Sequence, residues 1–258
     1  MDTTTLNSWF PLASGTPTSV VQLFCLPHAG VGASTYRPWA GRFPPEVAAV
    51  PVQFPGREAR FAEPAVPSAV ELVGLLLEPL LARADRPFAL FGHSMGALLA
   101  FELAHAAARR TRPPVHLFVS GFGAPHLPPS PDLPHVHLLP DPELTSHLGE
   151  LAGTPAEVLD RPDLMKVLLP TMRADFAVCE TYRWSGRPPL PVPITALGGV
   201  DDTTATAERL GAWAELTSRA FSARRFSGGH FYLLEHTDEV IRTVATDLMT
   251  SLAERTFQ

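Results

Sequence analysis

One lysine, Lys166, and two cysteines, Cys25 and Cys179, stand among 258 residues. Two cysteines with no CxxC pair exclude a disulfide framework and a thiol-based redox or metal motif, so both read as small buried hydrophobes. Long apolar runs are also missing, and none approaches the ~20 residues needed to cross a bilayer. The opening "MDTTTLNSWFPLASG" has no basic n-region and no apolar h-region. No signal peptide is therefore expected, and the predicted location is cytoplasmic. Positive charge is scattered and the formal net charge is −6, which argues against a nucleic-acid surface.

What remains is an ordinary globular composition, 45% hydrophobic and 18% charged. It is enough for one large domain over residues 1–258 with a substantial core. No internal repeat or low-complexity tract interrupts it. Apolar runs recur at Val20–Leu26, within "AAVPVQFPGRE" (Ala48–Glu58), at Phe88–Phe91, Val115–Ser120, Pro193–Leu197 and Ala223–Phe226. Helical patterns fall between most of them, notably Ser68–Ala82, Glu208–Leu216 and Thr237–Ala253. Strands alternating with helices imply a mostly parallel, doubly wound α/β sheet, with ligands beyond the carboxyl ends of the strands. The Gly-rich or charged turns "PHAGVGAS", "PGRE", "GGVDD" and "SGGHF" all follow strands and so gather on that edge.

One block breaks the alternation. From about 138 to 184 the signals are helical throughout. Asp141-Pro142 and Thr154-Pro155 each read as an N-cap followed by proline at the first helical position. Leu164, Leu168, Met172 and Phe176 lie four apart on one predicted face, and Pro170 is expected to kink that helix. Such an insertion beside the functional edge is either a lid or a plain packing layer.

"FALFGHSMGALLAFELA" joins a buried strand to a buried helix through Gly92-His93-Ser94-Met95-Gly96. A nucleophile on so tight a turn takes a strained backbone and projects above the sheet, and glycines flank it because side chains would clash there. Ser94 is the predicted nucleophile, with the helix N-terminus aimed at the reacting centre. A serine hydroxyl needs a base, and in this architecture the chain order is Ser, acid, His. That order removes eight of the ten histidines. His230 follows the last strand on the correct edge, whereas His236 belongs to the start of the final helix. His135 and His137 suggest a metal site, but no third ligand stands at a familiar spacing, and none is predicted.

The orienting acid belongs at the end of the penultimate strand, where Asp201 and Asp202 both qualify. Counting from Gly199 favours Asp202; counting from Gly198 gives Asp201. The oxyanion needs the Met95 N–H and a second donor from the loop after the first strand, with Ala29 as the candidate. His28 either lines the pocket or packs beneath that loop.

"LPHAGVGASTYRPWA", "VQFPGREARFAEP", "FGHSMGALLAFELA", "LFVSGFGAPH", "GTPAEVLDRPDLMKVLLPTMRADFAVCETYRW" and "SGGHFYLLEH" together resemble the type II thioesterases that accompany polyketide synthases and nonribosomal peptide synthetases. The resemblance covers nearly the whole chain. It implies an α/β-hydrolase fold, Asp202 as the acid, and the helical insertion as a lid over an acyl pocket, with Leu168, Met172 and Phe176 as lining candidates. It further implies hydrolysis of acyl groups from the phosphopantetheine arm of acyl or peptidyl carrier proteins, with no metal or redox cofactor. Arg183 and Arg187 are candidates for contacting the carrier or its phosphate, and a monomer is expected. In the early loop Val31 stands where the family usually has a second glycine, which either narrows the pocket or shifts the second donor. The rival readings are a general carboxylesterase or lipase, a product-releasing thioesterase domain, and a non-catalytic binder on the same scaffold. The start at Met1 without a linker-like extension counts against the product-releasing domain.

Overall fold

The computed structural model describes residues 3–13, 18–128, 135–151, 153 and 156–256. Six strands form one sheet: β1 (Val21–Leu26), β2 (Val47–Pro51), β3 (Phe88–His93), β4 (Leu117–Ser120), β5 (Ile194–Gly199) and β6 (Phe221–Phe226). Every pairing is parallel, in the order β2-β1-β3-β4-β5-β6. The helices are α1 (Thr3–Trp9), α2 (Ala69–Arg83), α3 (Met95–Arg109), α4 (Asp141–Glu150), α5 (Ala156–Leu159), α6 (Pro162–Glu180), α7 (Ala207–Gly211), α8 (Tyr232–Glu235) and α9 (Thr237–Thr256).

The central strands read as apolar runs because both faces of the sheet are covered. Alternate β1 side chains point to opposite faces. Phe24 and Leu26 enter one core with α2 and α3, while Val21, Leu23 and Cys25 enter another with Val240, Val244 and Leu248 of α9. The edge strand β6 lacks that signature. Its middle residues, Ala223, Arg224 and Arg225, are exposed, and it begins at Phe221, two residues before the expected Ala223. The helix expected over Glu208–Leu216 is α7 followed by a 3₁₀ turn, Ala212–Leu216.

Between β4 and β5 the described residues contain α4, α5, α6 and a 3₁₀ turn at Val136–Leu138, with a small core of their own around Leu144, Leu148, Met165 and Leu169. Helix α4 begins at Asp141 with Pro140 as its cap, one residue earlier than expected. Thr154 and Pro155 lie outside the described residues. Helix α6 runs unbroken through Pro170. Its buried ridge is Met165, Leu169, Met172 and Asp175, not the predicted 164, 168, 172 and 176. Steps of four overshoot a 3.6-residue turn by about 40° each, so a strict four-residue row winds off the core face.

The sheet order places a switch point between β1 and β3. The chain leaves β1 toward β2 on one side and later leaves β3 toward β4 on the other, opening a crevice between the two loops. Both the Gly-rich loop after β1 and the Ser94 turn after β3 open there.

Candidate active site

Ser94 sits between β3 and α3 with φ 54° and ψ −120°. This is a strained conformation for a residue with a Cβ, and the surrounding packing enforces it. A Cβ on Gly92 would fall 2.0 Å from the Gly96 carbonyl oxygen, and one on Gly96 would fall 2.2 Å from the Leu26 carbonyl oxygen. The glycines therefore let the strand end, the helix start and the β1 terminus meet. The Ser94 N–H donates to the Ser120 carbonyl at 2.7 Å, which fastens the turn to β4. Among the described residues the Ser94 hydroxyl has no hydrogen-bond partner.

The turn after β5 and the turn after β6 bring Asp202 and His230 together, with Nδ1 2.8 Å from Oδ2. Asp202 Oδ1 accepts from the Thr204 N–H (2.9 Å), the Thr204 hydroxyl (2.7 Å) and the Ala205 N–H (3.1 Å). Burial alone would raise the carboxyl, but the hydrogen bond and charge of His230 and the Thr204 and Ala205 donors outweigh it, holding the group down to about 2. Asp201 is exposed and donates only its backbone N–H, to the Gly228 carbonyl. The structure thus places Asp202, the acid the resemblance implies, on the imidazole. His236 lies between α8 and α9, away from this pair.

The His230 ring lies over the residue preceding Ser94, with centroids of His230 and His93 5.0 Å apart. His93 is fully buried and shares a 2.8 Å hydrogen bond with Ser120 Oγ, which in turn meets the Tyr232 hydroxyl at 2.7 Å. Burial, then the charges of His230 and His28, push the His93 imidazole well down. His28 is also buried, edge-on to His93 (5.6 Å) and Phe231 (5.0 Å), and burial and then His230 lower it to about 4. It packs in the neutral base of the site. The two imidazoles whose burial disfavours the charged form thus lie against one another, with the His230 ring over His93.

Met95 is the first residue of α3, where the helix leaves its N–H unused. Ala29 follows β1, and its N–H has no protein acceptor among the described residues. Both amides flank the crevice. Two contacts seat the helical insertion there. A Cβ on Gly30 would lie 3.2 Å from Met172 Cε, and one on Gly153 would lie 2.4 Å from Phe231 Cζ, beside His230. Of the three predicted lining residues, Met172 alone meets the site through such a contact. Leu168 and Phe176 pack against the insertion's own core, because the buried ridge of α6 is rotated from the predicted one.

The remaining predicted residues have surroundings of their own. Arg187 is half-buried, paired with Glu102 and stacked 4.8 Å above the Trp184 ring. Arg183 is exposed and donates to the Glu180 and Tyr182 carbonyls. His135 and His137 do have an acidic neighbour, Glu180 of α6, which the sequence spacing hides. That carboxylate already accepts from the Val136 and His137 N–H groups and from the His137 ring, and so fastens the 3₁₀ turn to α6. Sequence reading also missed Thr204, Phe231, Arg57 and Asp175. The last two stand in the quoted "PGRE" and "RADF" segments, but only folding brings them together.

A serine raised on a strained strand–helix elbow at the switch point of a parallel sheet, with a carboxylate–imidazole pair from the last two strand ends, defines an α/β-hydrolase. The sequence narrows the class: the thioesterase-domain model matches residues 21–248, and the chain belongs to the thioesterase family. It is 41% identical over 251 residues to the gramicidin S biosynthesis protein GrsT of Aneurinibacillus migulanus, across 97% of each chain. The type II thioesterase BorB from the borrelidin biosynthetic cluster is 42% identical with a TM-score of 0.83, over 91% of this chain and 95% of that one. RedJ, the thioesterase of the prodiginine pathway in Streptomyces coelicolor, is 37% identical with a TM-score of 0.82, over 93% and 98%. On these likenesses the chain groups with the type II thioesterases.

Proposed function

We propose that this thioesterase hydrolyses acyl groups from the phosphopantetheine arm of acyl or peptidyl carrier proteins, clearing stalled or misprimed units from a polyketide or nonribosomal peptide assembly line. The observation that carries the reading is the pairing of buried Asp202 with half-buried His230 beside the Ser94 elbow, beneath an insertion seated by Met172 and Gly153. Asp202 accepts from Nδ1–H and so keeps the Nε2 lone pair of His230 available.

Ser94 Oγ bonds to the thioester carbon as its proton passes to His230 Nε2. The oxygen that gains charge lies against the Met95 and Ala29 amides. The C–S bond then breaks, and the pantetheine sulfur takes the proton from His230. Water attacks the acyl-enzyme, giving its proton to His230, which returns it to Ser94 as the acid departs. The protein supplies every group these steps use, so the reading requires neither metal nor redox cofactor, and it requires a single copy of the chain.

The test is intact-mass spectrometry of a carrier protein loaded in turn with short acyl, long acyl and aminoacyl groups, with Ser94→Ala as control. Ser94-dependent clearing is expected. Survival of carrier-bound thioesters while simple esters are cleaved would overturn the substrate assignment in favour of a general esterase.

A further inference from the structure

The backbone of the loop His28–Ser34, which carries Ala29, is tied by side-chain hydrogen bonds to two distant segments. From the turn after β2, Gln53 Oε1 accepts the Ala33 N–H at 3.1 Å and Arg57 Nη1 donates to the Val31 carbonyl at 3.3 Å. From α6, Asp175 Oδ2 accepts the Gly30 N–H at 2.7 Å. Asp175 is completely buried, and Arg57 grips it with both ends of its guanidinium, at 2.5 and 2.8 Å. One turn earlier, the Thr171 hydroxyl donates to the Gly56 carbonyl at 2.9 Å.

This pair is a poor device for stability alone. Burying both charges costs desolvation energy that well-packed apolar side chains would avoid. Its geometry suits another task. Gly30 follows Ala29 directly and takes φ +81°. Anchoring the Gly30 N–H on a rigid carboxylate fixes the peptide on one side of Ala29 and thereby restricts where its own N–H points. A lone carboxylate so close would oppose a developing oxyanion. Arg57 neutralises it, leaving an anchor without the repulsion.

We propose that the Arg57–Asp175 pair is a positioning device that couples the seating of α6 to the second oxyanion donor, so that the Ala29 amide is aligned only while α6 is docked on the loop. This rests on the catalytic reading above, with Ala29 as that donor. Both residues act through the loop and touch no reacting atom.

The test is the double variant R57M/D175L in the full chain, with apolar side chains filling the site of the pair. Three readouts are compared with wild type: steady-state hydrolysis of a short acyl-pantetheine thioester, affinity for an alkyl trifluoromethyl ketone that adds to Ser94 and places an oxyanion between the two amides, and affinity for the matching non-hydrolysable thioether. The fold is expected to persist, with kcat falling about 10- to 100-fold and KM changing less than about threefold. Ketone affinity should fall by the same factor as kcat, and thioether affinity should hold. Arg57→Lys, which keeps the charge but loses the two-pronged grip, should show the same split with a smaller loss, and it carries the test if the double variant does not fold. Unchanged ketone affinity in a folded variant overturns the positioning role. A wild type that neither binds the ketone nor hydrolyses thioesters overturns the catalytic reading itself.

Discussion

Replacing Asp202 by asparagine isolates one proton's position, and the surrounding donors dictate the outcome. Asp202 Oδ1 is saturated by the Thr204 N–H, the Thr204 hydroxyl and the Ala205 N–H. An amide NH2 cannot face three donors, so the asparagine must put its oxygen there and its NH2 toward His230. That NH2 donates to Nδ1, moves the imidazole proton to Nε2, and leaves no lone pair for the Ser94 hydroxyl. The variant also loses the negative charge that favours the imidazolium formed in the reaction. The loss expected in kcat is about 10³- to 10⁴-fold, or roughly 4–5.5 kcal/mol of barrier. Stability falls less. Lowering the carboxyl from 3.8 to about 2 corresponds to about 2–3 kcal/mol. That contribution is complete above the unfolded value and lost as pH falls through about 2. The assay is release of free thiol from an acyl-pantetheine substrate, with a thermal melt of the same sample. Asp201→Asn, altering an exposed side chain with no imidazole contact, should stay within about twofold of wild type. An Asp202→Asn enzyme retaining more than a tenth of wild-type kcat would refute the tautomer argument.

Two further outcomes follow from strain and burial. Ser94→Gly and Ser94→Ala should both be inactive, but glycine should be the more stable by about 1 kcal/mol or more, because it alone relieves the φ 54° conformation; chemical denaturation of the two variants measures this, and equal stability would contradict the strain. The fold should also lose stability as pH drops below about 6.5, since burial holds His28 down to about 4 and His116 down to about 3. The unfolded chain then takes protons the fold refuses, at about 1.4 kcal/mol per pH unit for each group until its folded value is reached. His116→Gln, at a ring bonded to Ser251 and Thr195, should lower proton uptake on unfolding at pH 5 by about one. Denaturation at several pH values measures it, and an unchanged slope would contradict the shift.

Much of this protein is legible in one dimension because its chemistry is local. The Ser94 elbow, its two glycines and the Met95 amide are consecutive in sequence, and the strand and helix on either side are strongly apolar. Chain order and strand ends lead to His230 and narrow the acid to two neighbours. Spacing favours Asp202 over Asp201 and the family resemblance implies it, but the physical reason is tertiary: of the two adjacent turn residues only the buried one is held by Thr204, Ala205 and His230 together. The facing of α6 was illegible for a different reason. A four-residue spacing approximates a helical stripe over one turn but drifts from it over three, so Leu168 and Phe176 pack within the insertion while Met172 reaches the site. Arg57 and Asp175 lie 118 residues apart. Nothing in either segment alone distinguishes a solvated charge from a buried one. Local sequence determines where the chain turns and which side chains carry chemistry; burial and pairing between distant segments determine which charges are neutralised and which amide is aimed, and those depend on the packed sheet and the helices laid across it.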